Sequence, residues 1–89
     1  MLSNIIAIED DIAGLYRQGV FNAGQADAFI TKLEAVVEAL DRDDAGAALN
    51  QLRAFINQVD AYINARILSP AQGRTLIDHA NDIIGLVRG

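Results

Sequence analysis

The sequence predicts an all-α fold: a four-helix bundle built from two pseudo-repeated antiparallel helical hairpins, in one domain over residues 1–89. Three observations predict it. Apolar residues recur at helical spacing in four separable segments. The apolar content is Ala, Ile and Leu rather than aromatic, and Pro70 is the one proline, so only loops interrupt the helical runs. The chain also repeats itself: a slide of 47 residues sets Val20-Phe21-Asn22 on Ile67-Leu68-Ser69, Gln25 on Gln72, Phe29-Ile30 on Leu76-Ile77 and Val36-Val37 on Ile83-Ile84. Upstream, Ile5, Ile8 and Ile12 fall on Leu52, Phe55 and Val59. The hairpins then cover about residues 3–40 and about 44–88. Each exposes an apolar face alone, so the pair is the folding unit.

The first helix runs from about Ser3, a candidate cap, to Gln18, with Ile5, Ile8, Ile12, Leu15 and Tyr16 on one face and Glu9, Asp10 and Asp11 toward solvent. Gly19 stands where a left-handed C-terminal residue is wanted, and Val20 and Phe21 fold back as apolar plugs. Asn22 and Gln25 have capping-box spacing for the second helix. Its seam is Ala26, Phe29, Ile30, Leu33, Val36, Val37 and Leu40; Ala28, Ala35 and Ala39 point outward beside Asp27, Lys32, Glu34 and Glu38. In the following DRDD turn, Asp43 or Asp44 caps the third helix, where a carboxylate suits the positive N-terminal end.

The third helix carries Leu49, Leu52, Phe55, Ile56, Val59, Tyr62 and Ile63 in its seam. Ser69-Pro70 then forms an N-cap and first-turn pair for the fourth helix, which presents Leu76, Ile77, Ala80, Ile83, Ile84 and Val87, with Arg88 near its C-terminal end.

Composition narrows function. The net charge is −5 and the seven basic residues form no patch, which argues against nucleic acid and anionic membrane surfaces. No apolar stretch reaches spanning length, so membrane insertion is not expected. The opening MLSNIIAIEDD lacks the basic region of a signal peptide. Cysteine is absent, removing disulfides, thiolate chemistry and cysteine-based zinc sites.

No catalytic motif stands out, and neither an enzyme, a metal nor a cofactor is expected. His79, the single histidine, falls beside the seam of the fourth helix, with Asp82 as its nearest acid by spacing. It reads as a solvated boundary residue. Asp41, Asp43 and Asp44 lack the alternation and central glycine of a calcium loop and read as a cap. Ser69 opens a helix as the modified serine of acyl carrier proteins does, but Pro70 follows it and the Asp-Ser-Leu signature is missing. Phe21 and Leu68 could offer a small sugar platform, yet plugs beneath the loops are the simpler reading.

The third helix poses the sharper question. Its seam spans roughly 140° at 100° per residue. Away from it, Ala47, Ala54 and Ala61 form a line flanked by Asn50 and Asn57 on one side and Gln51 and Gln58 on the other. Small residues admit another backbone, and amides hydrogen-bond without the desolvation cost of full charges. The face is solvated, or covered within the domain, or docks a neighbour. If it docks, Asn50, Ala54, Asn57, Gln58 and Ala61 are the candidate interaction face.

The order of features carries a resemblance. An apolar helix and a Gly-Val turn precede a helix ending Leu-Glu-x-Val-x-x-Ala-Leu. An Asp-rich turn, AALNQLRAFINQV, a linker with Ile67 and a helix with Leu-Ile-x-x-Ala follow. This resembles the FIMAH domain family, most specifically at Ala48, Leu52, Phe55, Ile56 and Val59, with support from Leu33, Leu40, Leu76, Ile77 and Ala80. The resemblance implies a helical, non-catalytic C-terminal appendage on secreted and surface proteins of bacteria and archaea. It would act as a spacer or protein-interaction domain, extracellular or at the cell surface. The partners would be domains of its parent protein or a surface protein, or a second copy in a homo-oligomer. The alternative is a stand-alone cytosolic helical dimer with an adaptor or regulatory role.

Overall fold

The computed structural model describes residues 2–88, with side chains from residue 4. Four helices follow one another: α1 (Leu2–Arg17), α2 (Ala23–Asp41), α3 (Ala45–Asn64) and α4 (Pro70–Arg88). The expected Ser3 cap concerns a side chain outside the described residues. Contacts form a ring, in which α1 meets α2 and α4, and α3 meets α2 and α4. The backbones of the diagonal pairs stay apart among the described residues, and only their core side chains converge. Short connections between neighbours make successive helices antiparallel. The long dimension of 35 Å is that of one helix, since twenty residues rise about 30 Å.

Each turn pivots on one residue in the left-handed region: Gly19 at φ 80°, Asp43 at φ 56° and Arg66 at φ 63°. Backbone donors beyond each pivot reach back to the carbonyls the helix leaves open. The Val20 and Phe21 amides donate to the Leu15 carbonyl at 2.9 and 3.3 Å. The Ile67 and Leu68 amides donate to the Tyr62 carbonyl at 3.0 and 3.2 Å, and the Asp44 amide to the Ala39 carbonyl at 2.8 Å. Phe21 and Leu68, 2% and 1% exposed, plug the core beneath their turns. A sugar platform there has no exposed ring to build on.

The caps follow at once. Asn22 Oδ1 accepts from the Gln25 amide at 2.8 Å, while the Asn22 amide donates to Gln25 Oε1 at 2.9 Å. Ser69 and Gln72 make the same reciprocal pair at 3.1 and 3.0 Å, which is the role Ser69 serves. Of the two aspartates proposed to cap α3, Asp44 does so, accepting from the Ala47 amide at 3.0 Å. Asn22→Ala is expected to cost about 1 kcal/mol of unfolding free energy in a urea titration, since the Gln25 amide loses its acceptor.

The core is apolar throughout: Ile5, Ile8 and Ile12 of α1 meet Leu33 and Val36 of α2, Leu52 and Val59 of α3, and Leu76 and Ile83 of α4. Phe29 sits at its centre. Its ring lies 5.2 Å from Phe21, 5.4 Å from Phe55 and 5.0 Å from Tyr62, stacked on the first and edge-on to the others. Where α4 begins against the end of α3, Gly73 is buried, and a Cβ there would fall on Cδ1 and Cγ1 of Ile63.

The structure corrects several placements. Leu49, expected in the α3 seam, is half-buried, and Ala48 beside it takes the core position. Glu9, expected toward solvent, is half-buried. Tyr16 is not in the seam of α1 but 49% exposed. The chain reverses at Gly19 and seats Phe21 in the core, so Tyr16 is left on the rim between α1 and α2. Ala39 does not point outward; it is 1% exposed, and Ala28 and Ala35 are half-buried. Asp11, assigned to the solvent side, is half-buried facing α4.

The alanine placements share one cause. The α1 side of α2 is marked by Ala23, Ala26 and Ile30, and the α4 side of α3 by Ile63 against Gly73. The stripes left over, Ala28-Ala35-Ala39 on α2 and Ala47-Ala54 on α3, are therefore turned toward each other. Small side chains let these backbones approach, and the α2–α3 contact is the most extensive of the four.

Candidate functional site

The five residues proposed as an interaction face do not share one environment. Asn50, Asn57 and Ala61 are exposed, whereas Ala54 and Gln58 are half-buried on the flank toward α2. Gln58 Oε1 is shielded from solvent without a hydrogen-bond partner among the described residues. The neutral face of α3 thus divides: its alanine-glutamine flank serves the fold, and its asparagine edge with Ala61 remains on the surface.

His79 has a partner that sequence spacing did not supply. Its Nδ1 lies 3.0 Å from Asp11 Oδ2 across the α1–α4 interface, not beside Asp82. Both atoms are sealed from solvent, although each side chain is about one-third exposed, and their close approach does not reach hydrogen-bond geometry. The pair joins two helices far apart in sequence, and Asp11 also lines an adjoining cleft of about 260 Å³ with Gln18, Gln72 and Thr75. Among the described residues, no group of three or more His, Asp or Glu is placed to hold a metal ion. Among the described residues, no helix is long and apolar enough to cross a membrane.

A second surface feature was missed altogether. Between α1 and α2 runs a groove of about 260 Å³, where Ile12, Ala13 and Tyr16 face Ala23, Ala26 and Ile30, with Asp27 at the edge. Ile6 is one heptad before Ala13 on the same stripe of α1 and is 49% exposed, as Tyr16 is. The signal was present in the sequence: Ile6, Ala13 and Tyr16 form a second apolar line beside the seam. The helical period alone does not separate this line from the core seam, because Tyr16 lies at the edge of both.

A family model, the FIMAH domain, matches residues 5–85, nearly the whole chain. No curated protein and no solved structure matches the chain significantly.

Proposed function

The chain belongs to the FIMAH domain family, and from that premise we propose that it is a non-catalytic helical accessory module of a larger extracellular or cell-surface protein. It acts as a spacer or a protein-interaction domain. The observation that carries this reading is the family match over almost the full length of an all-helical chain. The use of the polar side chains supports it. Asn22, Gln25, Asp44, Ser69 and Gln72 are spent on capping helices.

The two hairpins are read as copies of one unit. Their turns support this: Gly19 and Arg66, Leu15 and Tyr62, Phe21 and Leu68, Asn22 and Ser69, and Gln25 and Gln72 play matching parts. Against it, the most extensive contact lies between the hairpins, α2 on α3, rather than within either.

Docking through α3 uses Asn50, Asn57 and Ala61 as the accessible part of the proposed face, with Ala54 and Gln58 behind them. The double variant Asn57→Glu/Ala61→Glu tests it on exposed positions. Its unfolding free energy is expected to stay within about 0.5 kcal/mol of the parent. Its sedimentation-detected self-association, or docking to the adjoining domain of its reading frame, is expected to vanish. Unchanged association in a folded variant would remove this face. Reading the frame on both sides of the gene segment tests the module itself: an upstream domain and secretion signal support it. A frame confined to this domain would replace it with a stand-alone helical protein.

A further inference from the structure

We infer that the α1–α2 groove is a docking site for an amphipathic helix whose apolar face is flanked by Lys or Arg. The inference rests on the reading of the chain as an interaction module, but it concerns a different surface from α3.

The groove is a place where the bundle leaves apolar surface uncovered. Of the large hydrophobic side chains exposed among the described residues, Ile6, Tyr16 and Leu86, Tyr16 lines it and Ile6 lies one heptad before the lining residue Ala13 on α1. It is linear because two antiparallel helices frame it. Tyr16 stands opposite Ala23 at one end, and Ile12 and Ala13 stand near Ala26 and Ile30 in the middle. Running α1 back to Ile6 and α2 on to Val37 extends the channel by about two helical turns. The small residues Ala13, Ala23 and Ala26 keep its floor low. A third helix fits such a channel through side chains at i, i+3, i+4 and i+7. At about 260 Å³ the formed part holds one or two side chains and falls below the roughly 300–1,000 Å³ of small-molecule sites.

Charge selects the partner. Asp27 lines the groove, and Glu34 follows it one heptad later on the same edge of α2. On α1, Glu9 is half-buried on the α2 side and Asp10 is exposed beyond it. Among the described residues, Arg17 is the cation at the Tyr16 end, and Lys32 belongs to the α3 side of α2. A second copy of this chain, at net charge −5, would bring carboxylates against carboxylates. Lysines or arginines flanking an apolar helix face would meet these rims with the opposite sign, giving salt-dependent binding and fixing register.

The test titrates the isotopically labelled domain with two helical peptides of about 18 residues sharing one leucine face, one flanked by Lys and the other by Glu. Amide shifts are expected at Ile6, Ala13, Tyr16, Ala23 and Ile30 with the Lys peptide and to be absent with the Glu peptide. Asp27→Lys is expected to weaken the Lys peptide about fivefold, the upper range for an exposed charge pair. Tyr16→Ser, on an exposed site, is expected to weaken it in the same assay. Equal binding of both peptides overturns the inference, as does silence up to about 1 mM peptide. Shifts confined to Asn50, Asn57 and Ala61 also overturn it, while leaving an interaction role for the module intact.

Discussion

Phe29→Ala is expected to lose about 3–5 kcal/mol of unfolding free energy, the range for removing a fully buried aromatic ring. The ring is 0% exposed and touches three other aromatic rings that come from the first turn and from α3. Its removal forfeits transfer energy, leaves a cavity, and deletes stacked and edge-on contacts worth about 0.5–1.5 kcal/mol per pair. The neighbours cannot collapse into the space independently, because Phe21 is held by its turn and Phe55 and Tyr62 by one helix. Small domains have about 5–15 kcal/mol in total, so the variant is expected to be largely unfolded at moderate urea. Denaturation followed by far-ultraviolet circular dichroism measures this directly. Tyr16→Ala on the same instrument is the control, with a loss below about 1 kcal/mol. A Phe29→Ala loss as small as the control would show that the aromatic centre is not what holds the four helices together.

Gly73→Leu is expected to cost about 3 kcal/mol, at the upper end for overpacking. The first carbon of any side chain at Gly73 meets Ile63 Cγ1 as well as Cδ1, and would stand 3.4 Å from Val59 Cγ1. Rotating the far end of Ile63 clears only one of its two atoms, and a β-branched side chain on a helix has essentially one χ1 position. The end of α3 and the start of α4 must then separate. Gly73→Ala is expected to be milder, because alanine recovers about 1 kcal/mol of helix propensity. The diagnostic measurement is the double-mutant cycle of Gly73→Ala with Ile63→Ala. If close approach is the reason for the glycine, the pair should be coupled by about 1 kcal/mol or more, the alanine at 73 being harmless once Ile63 is shortened. Additive losses would show that Gly73 serves its local helix and not the α3–α4 contact.

The helices were legible because their apolar period is strong and their caps are local. Asn22 with Gln25, and Asp44 three residues before Ala47, need only chain neighbours to act. Gly19 announced its turn by its residue type, whereas Arg66 adopts the same backbone region with nothing in its chemistry to say so. What failed depends on which helix lies beside which. A wheel gives the direction of Ala39 but not the presence of α3 in that direction, so a buried alanine read as outward. It gives His79 a boundary position but cannot supply Asp11, some seventy residues away in the chain and 3.0 Å away in space. Tyr16 shows the reverse error: it is close enough to the seam to be counted, at a helix end where the turn had already delivered Phe21 to the core.

The ring of contacts has a consequence for how the chain closes. Three of its four helix pairings join neighbours in sequence, and only α1 with α4 joins distant segments. Most loop-closure entropy is therefore concentrated in one event, and the remaining topology favours fast folding by local steps. α1 is held by the two less extensive contacts, so it is the element whose amides should exchange with solvent through the least costly opening. That seam is a matter of connectivity and not of shape. The start of α1 and the end of α4 lie at the same end of the bundle, so a circular permutant with those ends joined and a cut at any of the three turns would enclose the same core and move the long-range step to a different pair of helices.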